Sequence, residues 1–331
     1  MFRKIGTICV LLLAGLCLAW PANADSSLFD GKTITYIVAT KPGGGYDTMG
    51  RLVAKYLEKH LTGSRVIVKN VPGAGHLIGA KTIFAAKPDG LTIGTFNTSL
   101  INSQLTNAIA DHPDMNQMSW IGKAATESRV LVVSAKSEFK NFDDFRKSGR
   151  VLKMATSGKG SASHIDASLL AKAFDLNVEF IHGFEGSEAE MSILRGEIDG
   201  HVGSRSSLQS FVDNGYGRML LEIGGEPGSK LPQAGDLATT DRSRAILALI
   251  EAQARISRLT AGPGGMDPKV LQALREVYME ATSDPDFLAE ADKLKLPIST
   301  ASGEAVADLV KAALNQPPET VALLKEVLKE E

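Results

Sequence analysis

Residues 33–50 read TITYIVATKPGGGYDTMG, and residues 65–80 read RVIVKNVPGAGHLIGA. Each begins with an uncharged or β-branched run of strand length. Each then passes through clustered glycines into a stretch with helical spacing, Met49, Leu52, Val53, Tyr56 and Leu57 in the first case. A third strand follows over 91–96. Strand, glycine loop, helix, repeated and followed by a strand, predicts a parallel α/β sheet.

A second block repeats the pattern. Residues 129–135 (RVLVVSA) read as a strand, and Asn141 is placed to cap a short helix over 141–147. Strand 153–156 enters SGKGSASH at 157–164 and a helix over 165–174. Strand 178–182 enters GFEGS at 183–187, then a helix over 188–195 stopped by Gly196, then strand 198–202. The tail from Pro268 onward is helical, with boundaries at Asp284-Pro285 and Pro317-Pro318.

Four glycine loops therefore leave strand ends and feed helix N-termini. Free N–H groups and the positive end of the helix dipole make such loops anion sites. In open α/β sheets, ligands bind at the carboxyl ends of strands. Two loops from each block, facing one another, would grip an anion at both ends. PGGGYD is neither a P-loop, which needs a Lys followed by Ser or Thr, nor a dinucleotide fingerprint, which needs glycine where Thr48 stands.

The rest of the 331-residue chain narrows the class. Arg3 and Lys4, the apolar run 5–20 and Ala22-Asn23-Ala24 form a secretory leader over 1–24, cut before Asp25. Cys9 and Cys17 both lie within it, so the 307 residues that follow contain no cysteine. Disulfides, a cysteine nucleophile and a thiolate metal site are excluded. Leu16 before Cys17 argues against lipidation. The exported part carries 34 basic and 38 acidic residues, a net charge of −4 that gives no footprint for nucleic acid. The leader is bacterial in character and the expected compartment is the periplasm.

Catalytic constellations are sparse. The six histidines, His60, His76, His112, His164, His182 and His201, have no metal-ligand spacing. Ser161 and His164 leave open a secreted serine hydrolase, although GKGSAS is not a nucleophile elbow.

PGGGYD followed by RLVA at 51–54, NVPGAG at 70–75 followed by IGA, KPDGLT at 87–92, TSGKGSASH at 156–164 and LRGEID at 194–199 occur in a fixed order. This set resembles the solute-binding receptors of tripartite tricarboxylate transporters, the Bug/TctC-like family, over nearly all of the exported chain. The resemblance implies an α/β fold of the periplasmic-binding-protein type, two domains closing like a flytrap and joined by two crossing strands near 127–134 and 256–262. Domain I would comprise 25–128 plus 258–331, and domain II 129–257. The implied ligand is a small organic carboxylate, the implied partner the membrane permease subunits of such a transporter, and the implied state a monomer without metal or cofactor. The implied contacts are Gly44, Gly45, Tyr46, Asp47, Ala74, Gly75 and His76 on domain I. On domain II they are Thr156, Ser157, Gly160, Ser161, Ala162, Glu185, Gly186 and Ser187. Tyr46 replaces a small residue common in the family and would either narrow the pocket or pack on its loop. Gly203 stands where family members often carry an aspartate, which argues against an α-amino acid, and Arg205 would pair with a second carboxylate. A sensor that reports its ligand to a membrane kinase would carry the same signals.

Overall fold

The alternation of apolar side chains along the strands decides how the layers form. In the computed structural model, which describes residues 26–107, 111–185, 187–225 and 228–329, Ile34, Tyr36 and Val38 point to one core. Ile37 and Ala39 point to another on the opposite face of the sheet. A strand buried on both faces is what an uncharged run such as TITYIV predicts. The proposed leader over 1–24 lies outside the described residues.

The first part of the chain forms β1 (Thr33–Val38), α1 (Gly45–His60), β2 (Arg65–Asn70), α2 (Leu77–Phe84), β3 (Thr92–Thr95), α3 (Ser99–Thr106) and β4 (Ser119–Lys123). The middle forms β5 (Arg129–Ser134), α4 (Phe142–Arg146), β6 (Leu152–Thr156), α5 (Ala162–Phe174), β7 (Val178–His182), α6 (Glu188–Arg195), β8 (Gly200–Ser204), α7 (Arg205–Asp213), β9 (Gly217–Ile223), α8 (Ala234–Leu237) and α9 (Asp241–Ala254). The last part forms β10 (Leu259–Gly262), α10 (Pro268–Ser283), α11 (Pro285–Lys293), β11 (Ala301–Ser302), α12 (Gly303–Leu314) and α13 (Pro318–Lys329).

Two sheets result. The first has the order β11-β4-β10-β3-β1-β2, and the second β7-β6-β8-β5-β9. In the first, β2, β1 and β3 are parallel, with Thr33 opposite Arg65 and Tyr36 opposite Ile93, while β10 and β4 are antiparallel additions. In the second, β7, β6 and β8 are parallel and β5 runs antiparallel between β8 and β9. Along β5, Leu131 and Val133 enter one core and Val130 and Val132 the other. Each fully buried aliphatic side chain of this kind contributes about 1.5–3 kcal/mol.

The chain passes between the sheets twice, through residues 124–128 and 255–258. These segments are joined by hydrogen bonds from Ala124 N to Arg258 O (3.1 Å) and from Glu127 N to Ala254 O (3.2 Å). We call each sheet with its helices a lobe. Helix α13 departs from the expected division of the chain. It follows elements of the first lobe, yet its Leu324 is buried in the core of the second beside Ile246 and Leu247. The reason is the apolar face that α5 and α9 leave open there.

Candidate functional site

Strand β1 ends at the first glycine loop. Gly44 caps α1 with an extended backbone (φ −95°) and, lacking a side chain, supplies no cap bond to the first-turn N–H groups; Gly44 and Gly45 both line the cleft. Asp47 does not face the cleft. Its carboxylate accepts from Gly43 N (3.1 Å), Arg51 Nε (2.9 Å) and Asn70 Nδ2 (2.8 Å) and so braces the loop against β2. Burial would raise the Asp47 pKa, but the bonds from Arg51, Asn70 and Gly43 outweigh it and hold the carboxyl low.

The second loop bends harder. Gly73, Ala74, Gly75 and His76 all have positive φ, at 123°, 48°, 60° and 79°. Two non-glycine residues in that region mark a strained turn held by its surroundings. The turn directs the His76 ring inward, edge-on to Tyr46 with 5.0 Å between centroids. Burial, then the charges of Arg258 and Arg129, push the His76 pKa down to about 3, so the ring is neutral. A β-carbon on Gly75 would lie 2.8 Å from Ser161 Cβ, so this loop presses on the second lobe.

In the third loop Ser161 caps α5, its Oγ accepting from His164 N (3.3 Å), while Gly160 N donates to His164 Nδ1 (3.2 Å). Both side chains are thus engaged in closing the helix end, and they form no nucleophile–base pair. Thr156 is buried and its hydroxyl pairs with His182. In the fourth loop Glu185 donates its N–H to Glu188 Oε2 (2.9 Å), and Glu188 meets Lys41 of the first lobe at 2.9 Å. Ser187 is exposed beside them, and Gly186 lies outside the described residues.

Between the lobes lies a cavity of about 100 Å³. Of the expected residues, Gly44, Gly45, Tyr46, His76, Ser157, Ser161 and Ala162 line it. Ala74, Gly75, Thr156, Gly160 and Asp47 belong to the loops around it without lining it, and neither Glu185 nor Ser187 lines it. Arg205 is placed elsewhere. Its Nη1 donates to both Glu222 oxygens (2.8 and 3.0 Å) and to Ser229, and it lines a separate cavity of about 380 Å³ with Thr126, Gln209 and Lys295. Arg205 opens α7, and the side of that helix carrying Ser207 and Leu208 is the one turned to the cleft.

Two buried ion pairs had no signal in the sequence. Arg129 and Asp166, 2% and 1% exposed, meet with Nε and Oδ2 at 2.9 Å on the cavity wall. Arg129 Nη1 also bonds Ser204 Oγ. Arg258 and Glu127 meet at 3.0 Å in the crossing segments, and the Arg258 guanidinium stacks 4.2 Å from the Tyr46 ring centroid. Buried polar atoms without a well-aligned hydrogen bond gather around the cavity: Thr40 Oγ1, Tyr46 Oη, His76 Nδ1, Arg129 Nη2, both Asp166 oxygens and Glu190 Oε2. Such atoms are costly unless something else satisfies them. Burial raises Asp166 to about 6 against the pull of Arg129, and raises Glu190 to about 7.

A two-sheet α/β fold with a polar cleft at the crossover fits a solute-binding receptor. Residues 49–321 match the tripartite tricarboxylate transporter family receptor, and the chain belongs to that family, one of binding proteins and not of enzymes. It is similar to the UPF0065 protein of the tcbD–tcbE intergenic region of Pseudomonas sp. strain P51, 26% identical over 311 residues that cover 91% of this chain and 90% of the relative. In fold it is similar to the periplasmic binding protein BugD (TM-score 0.75, 19% identity, 90% of this chain and 98% of that one). It is similar also to MatC of Rhodopseudomonas palustris with bound malate (TM-score 0.72, 17% identity, 91% and 100%). No helix among the described residues is long and apolar enough to cross a membrane.

Proposed function

We propose that this protein captures a small organic carboxylate, a di- or tricarboxylate, in the cleft between its lobes and delivers it to the membrane permease of a tripartite tricarboxylate transporter. It would act in the periplasm as a monomer. Residues 25–128 with 258–331 form one domain and 129–257 the other, except that α13 spans both, and the crossing segments serve as the hinge. The observation that carries this reading is the concentration of unpartnered buried donors, together with the open N-terminus of α1, around one cavity walled by both lobes. An anion bound there satisfies groups that closure would otherwise strand, so the ligand favours the closed state by its differential contacts. The malate bound by MatC supports a small carboxylic acid as the class.

A thermal-shift screen against mono-, di- and tricarboxylates, aromatic acids and amino acids tests the reading. A ligand at a hundred times its Kd adds about 2.7 kcal/mol of stability, easily seen as a rise in Tm. A rise with carboxylates and none with neutral compounds supports the receptor; a folded protein unmoved by the whole panel contradicts it.

A further inference from the structure

The Arg129–Asp166 pair is close but poorly matched. Nε and Oδ2 are 2.9 Å apart, yet Arg129 Nε and Nη2 and both Asp166 oxygens make no well-aligned hydrogen bond. The guanidinium is held by Ser204 and by its place at the start of β5. Asp166 sits on α5, just past the Ser161 cap. Both line the cavity into which the glycine loops open. An incoming carboxylate can offer Arg129 two aligned acceptors, a stronger arrangement than a skewed contact.

We propose that Arg129 and Asp166 form an exchangeable ion pair that reads a second ligand carboxylate: the ligand takes Asp166's place beside Arg129, and Asp166 accepts one proton from solvent. The proposal rests on the carboxylate-receptor reading and deepens it. Two carboxylates cannot both stay charged beside one buried guanidinium. Asp166 yields, because burial already brings it to about 6 while the ligand's own carboxyls are ordinary. As an acid it donates to the ligand, and the charge on the wall is unchanged. The other titratable groups facing it do not substitute for it. His201 from β8 and His76 are held neutral by burial, and Tyr46 from α1 is raised by burial. Among the described residues, Glu190 from α6 is the other acid on the cavity. The remaining elements packed on α5 bring apolar side chains, Ile246, Leu247 and Ile250 from α9, Met154 from β6 and Leu324 from α13.

Titration calorimetry of the purified protein with malate, succinate and adipate, and with propionate and butyrate as controls, reads the exchange. Above about pH 7 these acids are fully ionised. The expected result is uptake of about one proton per bound dicarboxylate, measured from buffers of different ionisation enthalpy, with Kd weakening about tenfold per pH unit above about 7. Monocarboxylates bind without that slope. Asp166→Asn binds dicarboxylates without the slope and, at about pH 8, about tenfold or more tighter than the unaltered protein. Dicarboxylate binding with no proton uptake overturns the proposal and leaves the receptor intact, a result that needs no variant to fold. A slope that persists in Asp166→Asn assigns the proton to Glu190 and also overturns it. Silence with every acid overturns the receptor reading and the proposal together.

Discussion

At position 45 a single β-carbon would keep the lobes from meeting as they do. Built on Gly45, it would lie 2.0 Å from Ser207 Oγ and 2.8 Å from Arg258 Nη2. Gly45 opens α1, where alanine suits the helix. Gly45→Ala should therefore strain this contact, with no gain in Tm despite the better helix former, and weaken ligand binding. Overpacking of about 1–3 kcal/mol corresponds to roughly 5- to 150-fold in Kd. Calorimetric titration beside a melting curve checks both halves. Glu190 gives a second residue-scale test. Its folded pKa, about 7, lies above its ordinary value of 4.5, so the folded state holds the proton more tightly and stability is lost as pH rises between those values. Glu190→Gln should gain in Tm relative to the unaltered protein between about pH 5 and 7, with the advantage level above that. A constant difference across that range would place Glu190 in water. The place of Gly44 and Gly45 on the cavity wall was legible because glycine at a strand exit has a restricted set of uses. The charged wall was not legible. Arg129 opens a strand and Asp166 sits inside SHIDASLL, and neither position carries a spacing that marks a pair. Arg205 stands near a position important in the family, but its own partner is Glu222, and no spacing in the sequence marks that pair.

The strands with buried or alternating apolar runs, β1, β2, β5 and β7, followed from sequence, as did the helices that begin at Pro268 and Pro285. Strand β4 did not. SWIGK is too short and too mixed to stand out, and it is held by pairing with β10 and β11 from far along the chain. Strand β9 and helix α9 were missed for a related reason: β9 is recognised by its register on β5, which tertiary contact fixes. The C-terminal helix shows the same limit. Its amphipathic pattern predicts a helix but not which lobe it covers. Leu324 is 1% exposed among Leu169, Ile246 and Leu247. Leu324→Ala should cost about 2–5 kcal/mol of stability, visible in denaturant unfolding. A loss under about 0.5 kcal/mol would mean that α13 does not dock there in solution.

For the whole molecule, two lobes, two crossing segments and one polar cleft between them account for the chain as a receptor. The lobes meet across the cleft at Lys41–Glu188, at Gly75 against Ser161, and at Gly45 against Ser207. The crossing segments hold their own buried pair, Glu127 with Arg258, whose guanidinium also reaches Ser207 at 2.9 Å. Crossing segments, glycine loop and second lobe therefore share contacts, so a ligand that orders one would bias the others. The most direct test of the central claim is a crystal structure of the protein with a dicarboxylate that raises its Tm. The ligand should lie between the N-terminus of α1 and the Ser157–Ser161 loop, with one carboxylate on the first-turn N–H groups near Gly45 and the other on Arg129. A ligand bound in the cavity beside Arg205, or bound with Arg129 and Asp166 untouched and the lobes apart, would contradict the account.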